Sequence, residues 1–144
     1  MEAHFYNVDI AWTKERQGEM SSPELSKKVE IATPPQFPKG VEGIWSPEHL
    51  FTSAVAGCLM TTFLSIAENS KLEFTSFSCK ANGKLEQVEG KFLMTEIILE
   101  PTVTIVNEND REKAERVLQK SEQHCLISNS IKSKITMNTN VVAV

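Results

Sequence analysis

At 144 residues, with 40% hydrophobic and 24% charged side chains, the chain is long enough for one domain with its own core and too apolar to be disordered. A formal net charge of −4 argues against a nucleic-acid partner, and the basic residues Lys27, Lys28, Lys132 and Lys134 come in pairs too small for a binding stripe. Three cysteines are too few for a disulfide scaffold, and MEAHFYNVDIAW has neither the basic start nor the apolar run of a signal peptide, so a cytoplasmic setting with reduced thiols is expected.

In chain order, HFYNVDIAW is rich in β-formers and reads as a strand over residues 4–12. TKERQGEMSS reads as a hairpin with Gly18 as its turn residue, and ELSKKVEIA as a polar-faced strand. TPPQFPKGVEG holds three of the six prolines and two glycines, which makes it a loop with a functional or interface role. Its Phe37, together with Trp45, either walls an apolar pocket or, in the case of Trp45, staples the next helix against Leu50. That helix begins with Ser46 as N-cap, Pro47 in the first position and Glu48 where the dipole favours an anion, and it ends near Asn69. Threonine, serine and glycine interrupt its apolar stretch, so no membrane span is expected. KLEFTSFSCKANGKLEQVEG and KFLMTEIILEPTVTI follow as two long strands joined near Glu89-Gly90. In the first of these, strict alternation puts Phe74, Ser76 and Ser78 on one face and Thr75, Phe77 and Cys79 on the other. A second helix, capped by Asn107 or Asn109, carries Ala114, Val117 and Leu118 on an apolar stripe. LISNSIKSK reads as a short helical turn and ITMNTNVVAV as a closing strand. The order β-β-β-α-β-β-α-β, rich in hairpins, is that of an α+β protein with antiparallel sheets packed around two main helices.

The cysteines differ in setting. Cys79 lies in an alternating strand, where a small apolar filler is the ordinary role. Cys58 sits mid-helix among Ala54, Ala56, Gly57, Thr61 and Thr62, which either allow close helix packing or leave room for a small molecule beside the sulfur. Cys125 follows the second helix in QHCLIS, and spacing alone does not pair it with Cys58. His4, His49 and His124 have no spaced partners that would make a metal site, and no cofactor motif is present.

SPEHLFTSAVAGC and QHCLIS resemble the two signatures of the OsmC/Ohr family, the osmotically inducible and organic hydroperoxide resistance proteins. In that family a proline-glutamate pair opens an alanine-rich helix leading to the peroxidatic cysteine, and the resolving cysteine precedes a short apolar-serine run. Proline commonly follows the family's resolving cysteine, whereas Leu126 follows here. The resemblance covers nearly the whole chain. It implies a single OsmC-like domain, an intertwined homodimer with active sites at the interface, and a thiol-dependent peroxidase that reduces organic hydroperoxides with a dithiol donor of lipoyl or small-thiol type. It makes Cys58 the peroxidatic and Cys125 the resolving residue, with Arg16 stabilising the thiolate and Glu48 holding Arg16.

Such chemistry needs a thiolate, and a mid-helix cysteine among apolar neighbours has its pKa raised, so a cation such as Arg16 is expected to oppose that. Ten helical residues separate Glu48 from Cys58 by about 15 Å along the axis and about 80° around it. If both serve one site, either the helix breaks or a second copy supplies the glutamate. The absence of proline between them favours the second copy. A non-catalytic dimeric module binding a small apolar ligand at the interface is the alternative.

Overall fold

Residues Met1–Val144 are all described by the computed structural model, and they fall into two units, Met1–Leu50 and Phe51–Val144. The first unit is a three-stranded antiparallel meander of β1 (Asp9–Lys14), β2 (Gln17–Ser22) and β3 (Leu25–Ala32). Residues 4–8, expected as the start of the first strand, precede it outside regular structure. The β1–β2 turn falls at Glu15 and Arg16, and Glu15 adopts φ 48°. Gly18 is therefore not the turn residue. It lies within β2 opposite Trp12, where a Cβ would stand 2.5 Å from the Ala11 carbonyl oxygen, so close strand approach is what requires glycine.

The proline-rich loop after β3 is tied back onto the meander. The Thr33 N–H donates to the Arg16 carbonyl at 3.0 Å, and the Ala32 N–H donates to the Trp45 carbonyl at 2.9 Å. Ser46 then caps helix α1 (Pro47–Asn69): its Oγ accepts the His49 N–H at 3.1 Å, while its own N–H donates to His49 Nδ1 at 3.3 Å. This is a reciprocal capping box with histidine in the place usually held by glutamate or glutamine. Trp45 packs edge-on against the His49 ring, with centroids 5.9 Å apart.

From Pro47 to Asn69 α1 is unbroken, with Val55, Leu59, Phe63 and Ala67 buried at every fourth position. Despite its interruptions, an 18-residue window of α1 has a mean hydropathy of 1.7, apolar enough and long enough to cross a bilayer. The buried stripe is that of a core helix: Val55 and Leu59 cluster with Ile97 and Leu99, and Phe63 and Ala67 with Val103 and Ile105. Each of the larger side chains here contributes roughly 1.5–3 kcal/mol through removal from water. The helix is not amphipathic in the ordinary sense, because its opposite face exposes Met60 and Leu64.

In the second unit β4 (Phe74–Val88) and β5 (Lys91–Ile105) form a long antiparallel hairpin. Glu89 and Gly90, at φ 50° and 79°, make the two-residue turn whose twist suits the strands. On β5 the residues Ile97, Leu99, Pro101, Val103 and Ile105 alternate inward and are buried. Strict alternation fails at the start of β4. An irregularity between Phe74 and Ser76 brings Phe74 round to the core, where Phe74 and Phe77 both meet Phe63, with centroids 5.1 and 4.8 Å apart.

A 3-10 turn, Glu108–Asp110, precedes helix α2 (Arg111–Gln123), and Asn107 Oδ1 accepts the Asn109 N–H at 2.9 Å as its cap. One turn of helix, α3 (Leu126–Asn129), follows Cys125. The closing segment is two strands rather than one, β6 (Lys134–Met137) and β7 (Asn140–Ala143), and both pair parallel to β5. The parallel direction follows from α2 carrying the chain back along the sheet between β5 and β6. The break between β6 and β7 has a local cause. The Leu99 carbonyl faces this edge, accepting the Asn138 N–H at 2.8 Å, and by alternation the nitrogen of Pro101 faces it too, with no hydrogen to donate. The architecture is α+β, antiparallel except along this edge.

Candidate functional site: a cysteine pair at the start of a short helix

The three cysteines are free thiols. Cys58 is half-buried on α1, in a setting that α1 leaves open: Ala54 and Thr61 are exposed, and a Cβ added to Gly57 would meet nothing within 4 Å. The small residues divide: Ala54, Gly57 and Thr61 leave open space beside the helix, whereas Ala56 packs against the core. The Cys58 sulfur lies 3.9 Å from Thr62 Oγ1, one helical turn on.

The second cysteine meets it there. Cys125 is fully buried at the N-cap of α3, with φ −67° and ψ 112°. Its thiol hydrogen-bonds to Cys58, and the first amides of α3, those of Leu126 and Ile127, also point at the Cys58 sulfur. The first N–H groups of any helix lack partners within it. Here a sulfur on another helix supplies them.

These contacts shift the two thiols in opposite directions. Burial pushes the Cys58 thiol up, but hydrogen bonds from the Cys125 thiol, the Ile127 amide, the Thr62 hydroxyl and the Leu126 amide together hold it below its ordinary value. Cys125 moves the other way: burial raises it and its bond to Cys58 raises it further, against a lowering contribution from the hydroxyl and amide of Ser128. The two sulfurs are therefore set apart, with Cys58 lowered and Cys125 raised, so that Cys58 is the one that loses its proton first. Burial likewise raises Cys79, whose sulfur lies 3.5 Å from the Lys80 carbonyl and which packs at the edge of the core. None of the contributions that lower Cys58 comes from a cation. Within this chain the lowering comes instead from the Cys125 thiol, the Thr62 hydroxyl and the amides of a neighbouring helix.

Arg16 and Glu48 belong to the first unit. Arg16 is exposed in the β1–β2 turn, its carbonyl fixed by the Thr33 N–H, and the ion pairs Lys28–Glu19, Lys84–Glu86 and Arg111–Glu108 do not include it. Glu48 is half-buried in the first turn of α1. The loop hydrogen bonds link the Arg16 turn, through Ala32 and Thr33, to the Trp45 carbonyl just before the Ser46 cap, so both residues stand on one hydrogen-bonded body. Because α1 does not break, the helical separation of Glu48 from Cys58 stands. His124, at the C-cap of α2, is exposed beside the buried Cys125. The first unit also has an open recess of about 670 Å3 lined by Pro35, Gln36, Glu42, Ile44, Trp45 and His49, with Phe37 outside its lining.

Thr62 is visible in the sequence only as a small neighbour of Cys58, and the donors Leu126, Ile127 and Ser128 are not visible as such. The short helical turn expected after Cys125 was the available signal, but only tertiary structure lays its amides against another helix.

The fold and site together define an α+β protein in which a half-buried helix cysteine meets a buried cysteine at the start of a second helix. The OsmC-like protein family model matches residues 40–140, and the chain belongs to that family. An uncharacterized protein of Bacillus subtilis, YmaD, is 26% identical over 139 residues, covering 93% of this chain and 90% of its own. The fold is that of an OsmC-like protein of unknown function from Vibrio cholerae, with TM-score 0.85 and 21% identity over 95% of this chain and 99% of that one. It is also that of an organic hydroperoxide resistance protein OsmC from Legionella pneumophila, with TM-score 0.78 and 22% identity over 99% of each chain.

Proposed function

We propose that the protein is a cysteine-based peroxidase that reduces organic hydroperoxides to alcohols. The observation that carries this reading is the meeting of the two cysteines: hydrogen bonds from the Cys125 thiol, the Thr62 hydroxyl and the Leu126 and Ile127 amides converge on the half-buried Cys58 sulfur and lower its pKa, while Cys125 is buried and raised. A thiolate is the nucleophile in peroxide reduction, and a neighbouring thiol is what rescues the product from overoxidation. The Cys58 thiolate attacks the distal peroxide oxygen, the O–O bond breaks, and the alkoxide takes a proton and leaves as alcohol. The Cys58 sulfenic acid then condenses with the Cys125 thiol, releasing water and forming a disulfide. A dithiol donor, of lipoyl or small-thiol type, returns both thiols and leaves as its own cyclic disulfide. A module that merely binds an apolar ligand has no use for an ionised thiol.

Arg16 and Glu48 complete the site in this reading, with Arg16 placed against the developing charge on the peroxide and Glu48 orienting it through a two-pronged carboxylate contact. The unbroken α1 keeps Glu48 about 15 Å along the helix from Cys58 of the same chain. We therefore assign the glutamate and arginine of each site to a second copy, in an intertwined homodimer with the sites at its interface. Surfaces that such a partner would cover are present in both units. Ile10 and Trp12 of β1 are 62% and 76% exposed, and Met60 and Leu64 form an apolar patch on α1. Each chain then works as one domain, in a reducing cytoplasm that maintains the donor.

The test is consumption of an alkyl hydroperoxide with a dithiol by the purified protein. Cys58→Ser should abolish turnover, whereas Cys125→Ser should preserve the first turnover and leave Cys58 open to sulfinic acid formation. Full turnover by Cys58→Ser removes the proposed nucleophile.

A further inference from the structure

The stretch that carries the buried cysteine has little to hold it in place. Between α2 and β6 the chain runs from Cys125 through α3 to Ser133. Most of its hydrogen bonds are local. The Cys125 N–H donates to the Glu122 carbonyl at 3.2 Å, the Asn129 N–H to the Cys125 carbonyl at 3.0 Å, and the Ser130 hydroxyl to the Leu126 carbonyl at 2.7 Å. The Leu126 and Ile127 amides reach the Cys58 sulfur, but that contact changes whenever the sulfur is oxidised. At the far end the Ser133 hydroxyl donates to the Met94 carbonyl at 2.5 Å. A single helical turn does not sustain itself, because its nucleation is unfavourable. Side-chain packing must therefore press Cys125 against α1. Leu126 is 66% exposed, and Asn129 and Ser130 face solvent. The residue of α3 that reaches the body is Ile127, half-buried against the cluster of Val55, Leu59, Ile97 and Leu99. Val55 and Leu59 flank Cys58 on α1, three residues before it and one after. Ile131 packs on the same cluster, but from beyond α3 and six residues from Cys125.

We propose that Ile127 is the positioning residue of the cysteine pair: its side chain clamps α3 onto the core beside Cys58 and so keeps the two sulfurs within bonding reach. The inference rests on the peroxidase reading and adds to it what makes the resolving step fast. In that step the Cys125 sulfur attacks the Cys58 sulfenic sulfur. The S–S bond forms, the S–O bond breaks, and the hydroxide leaves as water with the proton that Cys125 gives up. Cys125 is oxidised and the Cys58 sulfur is reduced from sulfenic acid to disulfide. A second peroxide competes for the same sulfenic acid and takes it on to sulfinic acid. The neighbouring thiol wins by being preset in contact, which makes it react as if at very high concentration. A disulfide also needs its Cα atoms about 4.4–6.8 Å apart, a tolerance that an untethered helical turn does not keep. One branched aliphatic side chain seated on a close-packed cluster supplies that precision without placing another charge or thiol beside the sulfurs.

Ile127→Ala, Ile127→Val and Ile135→Ala test the proposal. Ile135 packs on the same cluster from β6, so its truncation loosens the same core without touching α3. After one equivalent of cumene hydroperoxide, quenched-flow mass spectrometry should show Ile127→Ala forming the Cys58–Cys125 link roughly 10- to 100-fold more slowly than the parent, with Cys58 sulfinic acid accumulating. Ile127→Val, which keeps most of the anchor, should close roughly 2- to 5-fold more slowly. Ile135→Ala should close at the parental rate although it lowers the urea midpoint. A second readout needs no peroxide. In equilibrium with oxidised dithiothreitol the two thiols give two electrons and two protons to the reagent, and the extent of linking measures the effective concentration of the pair. It should fall in the order parent, Ile127→Val, Ile127→Ala, and stay parental in Ile135→Ala. The proposal is overturned by parental closure in Ile127→Ala (or in Ile127→Val, should the alanine variant not fold), by an equal loss in Ile135→Ala, or by a parent that links its cysteines with neither oxidant. If the parent links them with dithiothreitol in a way that depends on Ile127, but not with hydroperoxide, the peroxidase reading fails and the positioning role stands.

Discussion

Leu126→Pro isolates one of the contacts that lower the Cys58 pKa. Proline at this position removes the N–H directed at the Cys58 sulfur and nothing else from the backbone ladder, because the first residue of a helix has no intrahelical acceptor for it. The geometry tolerates the change: Cys125 is at φ −67° and ψ 112°, out of the helical region and close to the extended one that a residue before proline prefers. The Leu126 side chain is 66% exposed, so no core packing is lost. A hydrogen bond to a charged group is worth about 1.5–3 kcal/mol. At a half-buried sulfur water refills part of that, leaving about 1 kcal/mol, or about fivefold less thiolate at a pH well below the midpoint. The sign follows from the anion being the favoured form: losing a donor moves the Cys58 midpoint up, and the alkylation rate near neutral pH falls by the same factor. The assay is iodoacetamide alkylation of Cys58 across pH, read by mass spectrometry, with circular dichroism confirming the fold. An unchanged midpoint in a folded Leu126→Pro variant would show that the α3 amides do not hold the thiolate.

Three further outcomes follow from the same structure. In the reduced parent, alkylation with rising pH should label Cys58 first, with Cys79 and Cys125 reacting only at higher pH, and peptide mapping reads the order directly. Phe63→Ala should destabilise the fold by about 3–5 kcal/mol in urea, because it empties the centre of a cluster with Phe74 and Phe77. Gly18→Ala should cost about 1–3 kcal/mol, as its methyl meets the backbone of β1, and a variant as stable as the parent would contradict that close strand approach.

Much of the fold is legible in the residues because local chemistry repeats along them. Ser46 with Pro47 fixes the start of α1, Glu89-Gly90 fixes the long hairpin, and the alternation of β5 declares its buried face. Where local signals mislead, a tertiary constraint accounts for it. Gly18 reads as a turn glycine but answers to the nearness of Ala11, and Phe74 leaves its alternating face because an irregularity turns it toward Phe63. Pro101, unremarkable in a strand read by itself, divides the last strand in two because its missing N–H faces that edge.

The sequence by itself determined that the chain has the helix carrying Cys58, the second helix ending near Cys125, and the motifs that place it among OsmC-like proteins. It could not say which of those sulfurs has its pKa lowered. That was decided by tertiary structure alone, since a pKa depends on burial and on which donors lie within reach. The donors to Cys58 include amides whose positions 126 and 127 lie far along the chain and have no side-chain signature.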